Sequence, residues 1–191
     1  TNTDGSSCLP KRTVPGLAEV ATGTLNDYDI RLVSDNALST WDWRAGQGQM
    51  GWYLDLPDYG EKQVTRHTLR GGRLIFISVI PSTHACEDGG GSWLMELDAA
   101  TGGRLNETVF DLDGDGFFSL GDDFTTGGGS SKIAVSGKKS KEGITQPPSI
   151  VRSADGSKEF KYASGSKGGV EVTVESPGAF SRGRKSWVRL Q

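Results

Sequence analysis

Histidine and cysteine are nearly missing from this chain, with two of each among 191 residues. His67 and His84 lie on different segments, and His84 with Cys86 makes only half of a zinc ligand set. Cys8 and Cys86 match no metal spacing and leave one possible disulfide, with two reduced thiols as the alternative. The bridge is the expected state if the chain works in an oxidising compartment. No Gly-x-Ser-x-Gly elbow is present, and Gly137-Lys138-Lys139-Ser140 lacks the leading glycine of a phosphate loop. Apolar residues reach only 34%, and no apolar run comes near the ~18 residues of a membrane-spanning helix. The first residues, Thr1 to Ser7, contain no apolar signal core, so the chain reads as a mature or processed piece. With no catalytic constellation, the expectation is a protein that is not an enzyme.

Glycine is what the chain has in excess, 28 residues of the total. A thin core with many turns favours short strands over helices. The net charge of −3 conceals a split: residues 1–130 carry 19 acids and 9 bases, and residues 131–191 carry 5 acids and 12 bases. Two solvated surfaces of opposite sign would account for this. The alternative is attraction between the ends, within or between copies, or between the basic end and an acidic polymer.

Residues 1–24, rich in Pro, Gly and Thr, read as an N-terminal arm or linker ahead of a β domain over 25–191. Alternation predicts a hairpin of Tyr28–Val33 and Leu38–Trp43 around Ser34-Asp35-Asn36. Further strands are expected at Gly51–Leu56, Val64–Leu69, Arg73–Ile80, Trp93–Asp98, Lys132–Ser136, Ser149–Arg152, Lys158–Ala163, Val170–Glu175 and Lys185–Leu190. Arg73–Ile80 is the most apolar run and should be buried on both faces. Some twelve strands and no helix give an all-β, antiparallel fold, propeller-like or sandwich-like. The five tryptophans, Trp41, Trp43, Trp52, Trp93 and Trp187, serve better as packing than as sugar platforms, although a secreted carbohydrate-binding β protein remains a reading. Asn106-Glu107-Thr108 is a formal glycosylation sequon.

The segment with the most specific chemistry is Asp111 to Asp122. Oxygen donors fall at positions 1, 3, 5, 9 and 12 (Asp111, Asp113, Asp115, Ser119, Asp122), Gly116 takes position 6, and Phe117 at position 7 offers its carbonyl. Ca2+ takes six to eight oxygens, and this spacing wraps a chain around it as in an EF-hand loop. Asp122 replaces the usual glutamate, so closure is shorter by a methylene and Asp123 competes for it. The glycine-rich flanks do not form the two EF-hand helices. The prediction is therefore a calcium-stapled loop within a β protein.

Several blocks in order, Gly51-Trp52-Tyr53-Leu54-Asp55-Leu56-Pro57, Leu69-Arg70-Gly71-Gly72-Arg73-Leu74-Ile75-Phe76 and Trp93-Leu94-Met95-Glu96-Leu97-Asp98-Ala99, carry a resemblance. Phe110-Asp111-Leu112-Asp113-Gly114-Asp115-Gly116, Val135-Ser136-Gly137-Lys138-Lys139-Ser140 and Ser186-Trp187-Val188-Arg189-Leu190 continue it. From about residue 25 onward the chain resembles the C-terminal β-propeller region of the PilY family, large type IV pilus assembly factors and tip adhesins. The resemblance implies an exported, calcium-linked module at the cell surface, with pilus components as partners and a host surface or polysaccharide as a possible ligand. No nucleic acid is expected. The family's regulatory calcium loop lies elsewhere in its propeller, so that role is not carried onto Asp111–Asp122. At three or four blades the chain is too short for a closed propeller. Its open strand edges, or the N-terminal arm, would then allow head-to-tail pairing of copies into a filament.

Overall fold

The computed structural model describes residues 20–35, 52–83, 89–125 and 131–178. Eleven strands lie within them: β1 (Val20–Leu25), β2 (Tyr28–Val33), β3 (Thr68–Arg70), β4 (Arg73–Pro81), β5 (Gly90–Asp98), β6 (Phe124–Thr125), β7 (Lys132–Ile133), β8 (Gly137–Lys139), β9 (Ser149–Arg152), β10 (Glu159–Ser164) and β11 (Val170–Glu175). No helix occurs among the described residues, and every strand pair is antiparallel. The all-β expectation holds.

Six strands form the main sheet in the order β1-β2-β8-β5-β4-β3; β11-β10-β9 form a second sheet and β6-β7 a short ribbon. The hairpin partner of Tyr28–Val33 differs from the expected one. It is Val20–Leu25, paired from Val20 opposite Val33 to Leu25 opposite Tyr28, with β8 on the other side of β2. The turn, Asn26-Asp27, has φ of 50° and 62°, the left-handed pair that matches strand twist in a two-residue hairpin. The boundary expected at residue 24 thus falls inside β1. Leu38–Trp43, Lys185–Leu190, Cys8 and Cys86 lie outside the described residues.

Other expected strands are shortened. Residues 52–57 make no ladder; Trp52, Leu54 and Leu56 instead pack against one face of the main sheet. Of the weak Val64–Leu69 strand only Thr68 and Leu69 pair, in β3 with Arg70, and Val64 is exposed. Lys132–Ser136 contributes just Lys132–Ile133. Gly137–Lys139, not among the expected strands, is a central strand between β2 and β5.

β4 and β5 pair over nine residues and are buried on both faces. Ile75, Ile77, Val79 and Leu94 join Ile30, Leu32, Val109, Phe110, Leu112 and Val135 in one core, which Ile150 of β9 caps. Phe76, Trp93, Met95 and Leu97 form the other core beneath Trp52, Leu54 and Leu56. Burial of such side chains contributes roughly 1.5–3 kcal/mol each.

The second sheet reverses the usual polarity. Its inward positions are Glu159, Lys161, Thr173 and Glu175, all buried. Its outward positions include Val151, Tyr162, Val170 and Val172, exposed by 52%, 42%, 60% and 48%. In antiparallel sheets the buried face is ordinarily the apolar one.

Candidate metal centre

The acidic loop leaves the core at Phe110, which bridges Glu175, while Asp111 N–H donates to Val174 O (3.0 Å) and Ser176 N–H to Val109 O (2.8 Å). β11 therefore fixes the loop's entry, and Leu112 anchors its second residue in the core. The β6–β7 ribbon holds its exit.

Within the loop each aspartate accepts backbone N–H groups in a regular relay. Asp111 accepts from Gly114 (2.8 Å) and Gly116 (3.0 Å), Asp113 from Asp115 (3.0 Å), and Asp115 from Phe117 (2.7 Å). Gly114 and Gly116 adopt φ of 77° and 79°, where a side chain would strain the turn. One carboxylate oxygen from each of Asp111, Asp113 and Asp115 falls within 4.8 Å of the others. Three carboxylates so close repel one another unless a cation joins them, and burial already pushes the Asp111 carboxyl up from its usual range. The donor set is hard oxygen, matching Ca2+ or Mg2+ and not a soft metal.

Asp122 stands outside that trio. It is buried, and its carboxylate accepts N–H groups from Leu112 (2.7 Å), Asp113 (3.1 Å) and Ser119 (3.1 Å), knotting the two ends of the loop together. Ser119 Oγ accepts from Gly121 N–H (3.0 Å). The Phe117 ring is exposed, with the Lys158 ammonium 5.9 Å from its centre. Asp123 faces away and accepts from the Thr108 hydroxyl (3.0 Å); burial raises its pKa and that bond opposes the rise. Among the described residues no helix flanks the loop.

Two buried ionic clusters have no counterpart in the motif reading. On one face of the main sheet the Arg31 guanidinium takes Glu61 at 2.5 and 2.7 Å and Asp58 at 2.9 Å, and stacks 4.0 Å from the centre of the Trp93 ring. Between the sheets, Lys161 Nζ meets both Glu96 and Glu175. Arg73 donates to Glu107 (2.6 Å) and Ser176 O (2.8 Å) and lies 3.4 Å from Glu96, while Arg70 grips Glu159 at 2.6 and 2.9 Å. The available signal was Glu96 itself, a charge inside the apolar run Trp93–Leu97. Trp93 is core and Trp52 packs beside it, donating to Ala99 O (3.1 Å). His67 lines an open apolar hollow of about 210 Å³ with Trp52, Leu74 and Phe76.

No protein-family model matches the chain. It is 30% identical over 83% of its length to the type IV pilus biogenesis factor PilY1 of Pseudomonas aeruginosa PAO1, of which it covers 13%. The PilY1 homolog of Xylella fastidiosa Temecula1 is 29% identical over 76% of the chain, which covers 11% of that protein. Among solved structures, the P. aeruginosa PilY1 C-terminal domain superposes with a TM-score of 0.63 and 26% identity, covering 85% of this chain and 31% of that one. The chain thus spans about an eighth of the length of the curated relatives it matches.

Proposed function

Because the chain belongs to the PilY family through its likeness to the PilY1 C-terminal domain, we propose that it is a non-catalytic structural module that acts with pilus components at the cell surface in assembly and adhesion. The observation that carries this reading is the fold match to that domain over most of the chain. Ca2+ is its cofactor in this reading, held by Asp111, Asp113 and Asp115 with the Phe117 carbonyl, while Ser119 and Asp122 close the loop. The ion's part is to cancel carboxylate repulsion and lock a segment that spans β11 and the β6–β7 ribbon. Export is part of the reading, and with it a Cys8–Cys86 bridge. The test is a chimera in which residues 20–178 replace the matched segment of PilY1 in a strain lacking that protein. Restored surface pili support the proposal; an exported chimera on cells that remain bald overturns it.

A second reading, association between copies into a filament, is favoured by the apolar outward face of β9–β11. Exposed valines on a regular sheet pack well against another such face. Sedimentation of the purified chain decides: a concentration-dependent oligomer dispersed by Val172→Lys supports this reading, and a monomer at all concentrations ends it.

A further inference from the structure

We propose that Lys161 and Glu96 condense to an amide that ties the two facing sheets covalently, with Glu175 relaying the amine proton and Arg73 facing the oxygen that takes up charge. Lys161 lies on β10 and Glu96 on β5, in opposed sheets, and their side chains are 2% and 0% exposed. Glu175, on β11 beside Lys161, is 1% exposed and contacts the same ammonium nitrogen through Oε2, while its Oε1 has no hydrogen-bond partner. Arg73 Nη1 stands 3.4 Å from Glu96 Oε2, the oxygen turned away from the lysine.

An amine between two carboxyl groups in a water-excluded site holds each part that amide formation needs. The Lys161 Nζ lone pair attacks Glu96 Cδ and the C–N bond forms. Charge builds on Oε2, toward the Arg73 guanidinium. Glu175 takes the proton released by nitrogen and passes it to the departing Oε1 hydroxyl, which leaves as water. One amine and one carboxylic acid become one amide and one water, and no oxidant or reductant is needed. The protonation states suit the step. Burial, aided by the charges of Arg73 and Arg70, holds the Lys161 amine well below its usual pKa. Burial raises Glu96 to about 8 against the opposing pull of Arg73, so both shifts run toward the neutral amine and neutral acid that the step uses.

Burial also supplies the driving force. An amine and an acid buried away from water lose hydration that their contact need not repay, and the amide leaves fewer polar groups to bury. Among the described residues, Arg31 and Lys138, the buried cations outside this cluster, lack the full set. Arg31 holds a guanidinium that does not deprotonate. Lys138 faces one carboxylate, Glu171 at 2.9 Å, whose second partner is the Ser140 hydroxyl.

The experiment is an intact mass of the purified, reduced and denatured chain, which removes any disulfide from the comparison. The expected mass is one water below that of the sequence. Protease digestion should then release one branched species joining the β5 and β10 peptides through Glu96 and Lys161. Lys161→Arg should restore the full sequence mass, and Glu175→Gln should leave a large unlinked fraction. A natural chain of full sequence mass that shows a folded β spectrum overturns the proposal without reference to any variant. So does a join through Glu175, or water loss confined to succinimide at any of the five Asp-Gly steps, which begin at Asp4, Asp88, Asp113, Asp115 and Asp155.

Discussion

Arg31 and Glu61 form a two-point ion pair, at 2.5 and 2.7 Å, with both side chains wholly buried against the main sheet. Trp93 lies under the guanidinium, and the Ser78 hydroxyl donates to the same carboxylate. A pair of this kind costs most when only one member is removed, since the other charge stays buried without its main partner, Asp58 alone remaining beside Arg31 when Glu61 is lost. Glu61→Gln or Arg31→Met should each lower unfolding stability by about 3–5 kcal/mol. Replacing both with leucine should recover much of that loss, as measured by urea unfolding.

Gly137 sits opposite Met95 in the β5–β8 ladder, where an added Cβ would overlap Met95 Sδ and lie 3.0 Å from Leu94 O. Gly137→Ala should therefore cost about 1–3 kcal/mol, the usual penalty for overpacking. The sign of the cause is checked by Gly137→Ala in a Met95→Ala background, where the extra penalty should shrink. Equal penalties in both backgrounds would exclude the overlap as the reason.

Calcium should raise the melting temperature and a chelator should lower it. An ion bound only by the native state adds about 2.7 kcal/mol at a hundredfold excess over Kd. For a domain of this size that is roughly 5–10 °C. Asp113→Ala or Asp115→Ala should abolish the response, whereas Asp123→Asn, whose carboxylate turns to Thr108, should keep it. Superimposable melts with chelator and with millimolar calcium would dispose of the site.

Asp155 should titrate near pH 2. The hydroxyl of Ser153, with the N–H (3.0 Å) and hydroxyl (2.8 Å) of Ser157, holds its carboxylate at about 2. A folded value below the unfolded one means the stabilisation is present above about 3.8 and is lost as pH falls toward 2. NMR titration of the carboxyl carbon reads this directly, and Ser153→Ala should move the midpoint upward.

The amino-acid sequence alone determined the all-β class, the family likeness, the double burial of Arg73–Ile80 and the acidic loop. Each of these is local: alternation, apolar runs and oxygen spacing are written along one stretch of chain. Tertiary structure decided the rest. Gly137–Lys139 became a central strand because a glycine without a side chain was what the space beside Met95 required, which no window around residue 137 reveals. Alternation marked β10 and β11 as strands but left open which face points inward, since Glu159 and Lys161 alternate as regularly as Phe160 and Tyr162. The choice fell to the charges because Glu96 and Arg73 wait on the opposing sheet, and only a fold that brings residues 73, 96, 161 and 175 together can match cation to carboxylate there.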